Sequence, residues 1–254
     1  MIISIEGNIG SGKSTFFNTL KKYFSKNYNC NGKRIHFIEE PVDVWENIKD
    51  SNGNSILKCF YENKEKYSFP FQILAYISRL SKMLDIINSR KYDIIITERC
   101  VFSDRNVFAK MLHNTGNMNE HEWKIYDMWF DAFIKQLPTI TFVYLKTSPE
   151  VCLERINTRN REGENISIDY LKTCNDYHDS WLEMDNGHEE IISLNGSKDK
   201  FSHYEYIDII KQYIMWENHP GEDPGWYPDY SSYRKNKRNE VYEECVKRAK
   251  TTHA

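Results

Sequence analysis

The sequence opens with a short apolar run followed at once by a glycine-rich segment. Residues 2–6 read Ile-Ile-Ser-Ile-Glu, and residues 7–15 read Gly-Asn-Ile-Gly-Ser-Gly-Lys-Ser-Thr. Glycines at this spacing let the backbone turn tightly so that its N–H groups converge on phosphate oxygens, while the lysine reaches the outer phosphates and the next serine is placed for Mg²⁺. A helix that begins here directs its positive dipole end at the same anion. The segment therefore predicts a strand, a phosphate-binding loop and a helix that bind a nucleoside triphosphate. The residues assigned to this site are Gly7, Asn8, Ile9, Gly10, Ser11, Gly12, Lys13, Ser14 and Thr15.

Apolar, β-branched runs alternate with helical patterns along the chain, which indicates an α/β fold. After residues 2–6, the expected strands are 34–39, 93–97, 139–145 and 190–194. The expected helices are 14–25, 55–66, 70–90, 100–112, 119–136, 149–160, 167–184 and 202–216. Because the strands lack polar alternation, both faces of the sheet should be covered, which predicts about five parallel strands between layers of helices. Ligands of such sheets bind at the carboxyl ends of the strands.

Composition limits the classes of protein to which the chain can belong. The chain has 254 residues, 40% of them hydrophobic, and a formal net charge of -3, which argues against a protein that binds the backbone of a nucleic acid. Six scattered cysteines without a C-x-x-C pair, and an N-terminus without a leader pattern, predict a reduced cytoplasmic protein without mitochondrial targeting. No apolar stretch approaches the roughly 20 residues of a membrane helix. A change to turn-rich, charged composition predicts a domain over residues 1–216 and a C-terminal extension over 217–254.

Carboxylates follow the second and third predicted strands. Glu39 and Glu40 precede a proline, and either acid could serve as a general base for an attacking hydroxyl, although the neighbouring proline favours Glu40. Glu98 and Arg99 end the third strand, where the acid can bind hydrated Mg²⁺ and the arginine can hold a phosphoryl oxygen. The alternatives are a solvated acid after the second strand and a buried structural Glu–Arg pair after the third.

Three arginines and one glutamine complete the candidate residues. Arg155 and Arg159 are four residues apart, hence on one helix face, and Arg161 follows where the helix pattern breaks. Such a cluster suits a lid that closes over a triphosphate, or else a solvated helix end. Gln72 lies in an aromatic-rich helical segment, where a carboxamide can make two hydrogen bonds to a nucleobase edge.

Four further segments make the resemblance to a family specific. They are Glu-Pro-Val-Asp-Val-Trp, Tyr-Ser-Phe-Pro-Phe-Gln, Glu-Arg-Cys-Val-Phe-Ser-Asp-Arg and the arginine-rich segment. Together with the glycine-rich loop, they resemble the deoxyribonucleoside kinase family from residue 1 to about 216. The resemblance implies a P-loop kinase fold with an arginine-rich lid, ATP as the phosphoryl donor, Mg²⁺, a deoxynucleoside acceptor and a homodimer.

The resemblance also implies a role for individual residues. Glu40 corresponds to the base that takes the proton of the sugar 5′-hydroxyl, Glu98 to the Mg²⁺-linked acid and Arg99 to the arginine on the 5′ side. The nucleobase pocket corresponds to Trp45, Phe71 and Gln72, the groups on the sugar 3′-hydroxyl to Tyr61 and Glu164, and the lid to Arg155, Arg159 and Arg161.

Base preference in similar enzymes depends on few positions, which here are Ala75, Arg79 and Asp104. An ionised Asp104 oriented by Arg79 would accept hydrogen bonds from an exocyclic amino group, and a thymine methyl would crowd that corner. These residues predict a preference for deoxycytidine or purine deoxynucleosides over thymidine. Phe60 departs from the deoxycytidine type, where a methionine is common, and a pocket that it narrows would change which base fits. The alternatives are a broad-specificity or thymidine-type deoxynucleoside kinase, a thymidylate-type nucleoside monophosphate kinase, and a non-enzymatic scaffold subunit.

Overall fold

Five parallel strands form a sheet at the centre of the computed structural model, which describes residues 1–26, 32–160, 166–184, 191–198 and 203–216. The strands are β1 (Ile2–Glu6), β2 (Ile35–Ile38), β3 (Ile94–Glu98), β4 (Ile140–Lys146) and β5 (Ile191–Asn195). Their order across the sheet is β2-β3-β1-β4-β5, and every neighbouring pair is parallel. All residues of β1 and β3 are buried, as expected for strands covered on both faces. The predicted α/β class and the parallel sheet are confirmed.

The described residues also form ten α-helices. They are α1 (Lys13–Lys26), α2 (Val42–Asn47), α3 (Ile56–Glu62), α4 (Lys64–Ser89), α5 (Val101–Ser103), α6 (Lys110–Asn114), α7 (Glu120–Ile134), α8 (Pro149–Arg159), α9 (Ile168–Asp179) and α10 (His203–Trp216). A π-helical segment, Asp104–Ala109, joins α5 to α6, and a second one, Ser180–Met184, continues α9. Such segments frequently occur at functional sites.

Two details of the helix prediction are wrong. The break expected between residues 66 and 70 lies at Asn63, whose side chain caps α4 by accepting a hydrogen bond from the backbone of Lys66 at 3.1 Å. Pro70 lies inside α4, where it removes one backbone hydrogen bond but adjoins buried aromatic residues that keep the helix packed. Helix α2 was not predicted, because its six residues are too few for a helical period to emerge.

Helix ends elsewhere follow the sequence signals. Asn119 and Glu122 form the expected reciprocal cap of α7, with both hydrogen bonds present. Ser148 caps α8, which begins with Pro149. The chain divides into two compact units, Met1–Asp208 and Ile209–Ala254. Only residues 209–216 of the second unit are described, so the predicted extension over 217–254 lies outside the described residues. No described helix is long and apolar enough to cross a membrane.

Candidate active site

A cavity of about 820 Å³ opens at the carboxyl ends of β1, β2 and β3. The predicted residues that line it are Ile9, Gly10, Gly12, Lys13, Ser14, Thr15, Glu40, Trp45, Phe60, Tyr61, Phe71, Gln72, Ala75, Arg79, Glu98, Arg99, Asp104, Arg155 and Arg159. Gly7, Asn8 and Ser11 belong to the same loop but do not line the cavity, and Arg161 and Glu164 lie outside the described residues. The structure therefore brings the triphosphate loop and the predicted acceptor residues together in one space.

The loop between β1 and α1 requires glycine where the chain passes close to its neighbours. Gly7 has φ +146°, and a Cβ atom there would lie 2.7 Å from the carbonyl oxygen of Leu145 on β4. Gly10 has φ +76°, and its Cβ would lie 2.5 Å from the carbonyl oxygen of Cys152 on α8. Both separations are shorter than real Cβ contacts, so a side chain at either position would push the loop away from the sheet.

Lys13 is held inside this loop. It is 6% exposed, and its Nζ donates a hydrogen bond of 2.6 Å to the carbonyl oxygen of Asn8. Burial, followed by the charge of Arg99, lowers the pKa of Lys13 to about 7. An anion beside the ammonium group favours its charged form, so a bound phosphate would restore the full charge of Lys13.

Ser14 and Glu98 face each other at the start of α1. The Ser14 hydroxyl donates a hydrogen bond of 2.6 Å to Oε1 of Glu98. Burial and then the nearby charge of Glu40 raise the pKa of the Glu98 carboxyl. No group of three or more His, Cys, Asp or Glu side chains suited to a metal occurs in the described part of the chain. Mg²⁺ does not require one, because it is held by one or two protein oxygens together with phosphates and water.

The two tandem acids after β2 have different surroundings. The Glu39 side chain is 59% exposed and pairs with Lys21 at 2.6 Å. Glu40 lines the cavity, with Oε1 lying 3.0 Å from Nη2 of Arg79 and 3.5 Å from Nε of Arg99. Burial acts to raise the pKa of Glu40, but the charges of the two arginines and of Lys13 outweigh it and hold the pKa below its ordinary value. Glu40 is therefore the acid that is ionised and directed at the cavity.

Arg79 connects three parts of the site. From α4 it donates to Asp104 through Nε at 2.9 Å and through Nη2 at 3.4 Å, and to Glu40 through Nη2 at 3.0 Å. Its Nη1 donates to the carbonyl oxygen of Glu98 at 3.0 Å. Burial opposes the charge of Arg79, but the two carboxylates outweigh it and raise its pKa. Burial also raises the pKa of Asp104, an effect that Arg79 counteracts.

Aromatic side chains form the wall next to Arg79. Phe60 stacks on Phe71 with ring centroids 4.7 Å apart, and Trp45 meets Phe71 edge-on at 5.5 Å. Gln72 is 3% exposed, and its buried Oε1 has no hydrogen-bond partner among the described residues. An unpartnered amide oxygen on a side chain that lines a cavity is suited to accept a hydrogen bond from a ligand. The aromatic side chains and this oxygen together suit a planar, hydrogen-bonding ligand.

Arg155, which was predicted to belong to a lid, makes hydrogen bonds to three backbone carbonyl oxygens in this structure. Its Nη1 donates to the carbonyl oxygens of Ser11 at 2.8 Å and of Gly196 at 2.9 Å, and its Nη2 donates to that of Lys198 at 3.3 Å. Arg155 thus joins the phosphate-binding loop to the segment after β5. Arg159 lines the cavity one helical turn later. Movement of a lid stays a prediction.

Some cavity residues were not predicted from the sequence. They are Val42, Leu57, Phe108, Tyr170 and Lys198. Phe108 lies in the first π-helical segment, where its ring faces the guanidinium carbon of Arg99 at 4.9 Å. Phe108 stands four residues after Asp104, a spacing that places two residues on one face of a helix. This spacing is the only sequence signal that could have pointed to Phe108.

Comparison with known proteins agrees with this geometry. A sequence model of the deoxynucleoside kinase family matches residues 3–215. A probable deoxycytidine kinase of fowlpox virus (strain NVSL) is 36% identical over 204 residues, which cover 78% of this chain and 79% of the relative. Human deoxycytidine kinase is 37% identical over 201 residues, covering 71% and 74%. The mitochondrial deoxyguanosine kinase of Xenopus laevis is 30% identical over 199 residues, covering 71% and 72%.

Proposed function

The chain belongs to the deoxynucleoside kinase family, and from this premise we propose that it transfers the γ-phosphoryl group of ATP to the 5′-hydroxyl of a deoxynucleoside. The observation that carries the proposal is the position of Glu40, an ionised acid that shares one cavity with Lys13 and Arg99. A base directed at a hydroxyl and cations directed at phosphate are the two halves of phosphoryl transfer.

On the donor side, the N–H groups of the loop and Lys13 bind the phosphates of ATP. Ser14 and Glu98 would hold Mg²⁺, because their side-chain oxygens lie only 2.6 Å apart. A cation there would offset the burial and the nearby charge of Glu40, which raise the pKa of the Glu98 carboxyl. When bound, the ion neutralises charge on the phosphates. Arg159 and Arg161 complete the donor side.

On the acceptor side, Glu40 accepts the proton of the 5′-hydroxyl while Arg99 stabilises charge on the transferring phosphoryl group. A carboxylate with a low pKa is a weak base, but it suffices here because in a loose transition state the 5′-hydroxyl gives up its proton late, when the forming bond to phosphorus has made it acidic. Tyr61 and Glu164 bind the sugar 3′-hydroxyl. We assign these roles to the domain formed by residues 1–216, and the family match over 3–215 supports that boundary.

The nucleobase lies against Trp45, Phe60 and Phe71, with Gln72 bonded to its edge. Asp104 accepts hydrogen bonds from an exocyclic amino group, which favours deoxycytidine and purine deoxynucleosides over thymidine. The names of the relatives support this choice, since they are deoxycytidine and deoxyguanosine kinases. Ala75 leaves room beside the base.

A nucleoside monophosphate kinase of the thymidylate type would need a further cation for the phosphate of its acceptor. Arg79 is the candidate, but its guanidinium group already bonds Asp104, Glu40 and the carbonyl oxygen of Glu98. This engagement favours an uncharged acceptor.

A panel of acceptors tests the function. With ATP and Mg²⁺, we expect deoxycytidine or a purine deoxynucleoside to give the highest kcat/KM, and thymidine and thymidylate to give lower values. The measurement is steady-state ATP consumption with each of the four deoxynucleosides and with thymidylate. Thymidine as the best substrate would contradict the base preference, and thymidylate as the only substrate would contradict the acceptor class.

An apolar face on α4 and α7 supports a homodimer. Four of the seven large apolar side chains that are most exposed among the described residues lie there, namely Ile77, Ile125, Met128 and Trp129. The last three share one face of α7, and the Tyr76 hydroxyl bonds the carbonyl oxygen of Trp129, which joins this face to α4. A second copy of the chain would cover this face by the same contacts reversed, as in a twofold dimer.

Charges on this face are expected to separate the dimer. In gel filtration with light scattering, the double variant Met128→Glu, Trp129→Glu should have the mass of one chain. The unmodified protein should have the mass of two chains. The control is Ile48→Glu, which adds a charge at an apolar side chain that is about as exposed as Trp129 but lies outside α4 and α7. A dimer that persists in the double variant, or a monomeric unmodified protein, would contradict the proposed interface.

A further inference from the structure

A buried histidine lies behind Arg99, outside the cavity lining. His178 occupies the last turn of α9 and is fully buried. Its Nε2 lies 3.3 Å from Nη1 of Arg99, and its Nδ1 lies 2.6 Å from the carbonyl oxygen of Cys174. Nothing in the sequence pattern pointed to it, because a histidine in a helix facing the core is ordinarily a packing residue.

The two contacts require the same tautomer. A carbonyl oxygen only accepts hydrogen bonds, so the bond to Cys174 places the proton on Nδ1. A guanidinium group only donates hydrogen bonds, so the contact with Arg99 requires a lone pair on Nε2. The neutral imidazole with its proton on Nδ1 satisfies Cys174 and Arg99 at once. The backbone of Gly7 is a further hydrogen-bond neighbour of the ring, and the contact with Arg99 is what favours a lone pair over a proton on Nε2. Burial and then the charge of Arg99 lower the pKa of His178 well below its ordinary value, in agreement with the neutral form.

Packing fixes the orientation of the imidazole ring. The ring of Tyr144 on β4 is parallel to it within 4°, with centroids 6.1 Å apart, and the ring of Phe108 meets it edge-on at 6.2 Å. Phe108 also faces the guanidinium group of Arg99. The acceptor atom that His178 offers to Arg99 is therefore held rigidly by side chains from two other elements.

Arg99 needs such support. Its backbone has φ +60°, a strained conformation for a residue with a side chain, which persists only where the surroundings fix it. Its Nη1 lies between His178 and Oε2 of Glu6, which is 4.0 Å away, while its Nε faces Glu40 at 3.5 Å. Loss of the acceptor behind Nη1 would let the guanidinium group close on Glu40 and occupy the proposed base.

We propose that His178 is a positioning residue, which holds the guanidinium group of Arg99 apart from Glu40 and directed at the transferring phosphoryl group. This inference rests on the proposed roles of Arg99 and Glu40. His178 itself touches neither substrate.

Two substitutions separate positioning from packing. In His178→Gln, the amide oxygen reaches about as far from the backbone as Nε2 and can still accept from Arg99, whereas in His178→Asn the amide reaches only as far as Nδ1. Both variants lose the stacked ring, so their thermal unfolding temperatures should fall alike. We expect kcat to fall about 10- to 100-fold in His178→Asn but to stay within about threefold in His178→Gln, with KM values for both substrates within about threefold. Equal losses of kcat, or a loss confined to KM, would overturn the inference.

A measurement on the unmodified protein does not depend on activity. The ¹⁵N signals of the His178 ring, identified as those missing from His178→Gln, should report a neutral imidazole protonated on Nδ1. A proton on Nε2 would overturn the inference, because that atom could not then accept from Arg99. If no deoxynucleoside is phosphorylated, the proposed function fails, while the tautomer still decides whether His178 can hold Arg99.

Discussion

Replacing Glu40 with glutamine is expected to lower kcat by about 10²- to 10⁴-fold, the usual contribution of a positioned general base. The glutamine oxygen can still accept the hydrogen bond that Arg79 donates to Oε1 at 3.0 Å, so the side chain keeps its place. It cannot accept a proton from the 5′-hydroxyl. The KM for ATP should change little, because the loop and Lys13 bind the phosphates. Steady-state kinetics with deoxycytidine and ATP measure the effect.

The neighbouring acid provides a matched control. Glu39→Gln makes the same chemical change one residue earlier, where the side chain is 59% exposed and pairs only with Lys21 among the described residues. Exposed pairs of this kind contribute little, so kcat should remain within about twofold. If Glu40→Gln retained most of its kcat, or if both variants lost the same amount, Glu40 would not be the base.

The comparison of these two acids also shows what a sequence can and cannot predict about this site. Strand ends and the loop glycines are encoded locally, so the five strands and the position of the cavity could be predicted to within a residue or so. Alternation along a strand indicates that tandem acids point in opposite directions but not which one points into the cavity. That choice depends on Arg79, which is 39 residues away in sequence from Glu40.

Long-range partners account for the other omissions. His178 and Phe108 contact Arg99 from α9 and from a π-helical segment. Their separations from Arg99 in the sequence match no motif that could have pointed to these contacts. The engagement of Arg155 with three backbone carbonyl oxygens likewise depends on where β5 ends relative to the phosphate-binding loop. Residue type predicted that Arg99 and Arg155 could act on phosphate, whereas the contacts of both side chains follow from tertiary packing.

Arg79 links nucleobase recognition to the proposed base, which gives its replacement a second large effect. Its side chain is 2% exposed and bonds Asp104, which is also buried, as well as Glu40. Arg79→Met leaves the Asp104 carboxylate buried without its cation, and breaking such a pair costs about 3–5 kcal/mol of unfolding free energy. Urea unfolding of the purified variant measures this loss.

Removal of both partners should be less harmful than removal of the arginine alone. The double variant Arg79→Met, Asp104→Ala has no buried carboxylate at position 104. It should therefore recover part of the stability lost in Arg79→Met, with a coupling energy between the two substitutions of up to about 3 kcal/mol. The ratio of kcat/KM for thymidine to that for deoxycytidine should also rise, because the group that crowds the thymine methyl is absent. The ratio is the informative quantity, since loss of the bond to Glu40 lowers kcat for every substrate.

A more exposed pair of the same type is the control for this cycle. Arg105 and Asp127 lie 2.7 Å apart, but their side chains are 30% and 32% exposed. The coupling energy between Arg105→Met and Asp127→Ala should therefore not exceed about 1 kcal/mol. A coupling energy for Arg79 and Asp104 no larger than this value would mean that burial does not strengthen their pairing. An unchanged ranking of thymidine and deoxycytidine in the double variant would mean that base preference is set by other residues of the pocket, of which Phe60 and Gln72 are the next to test.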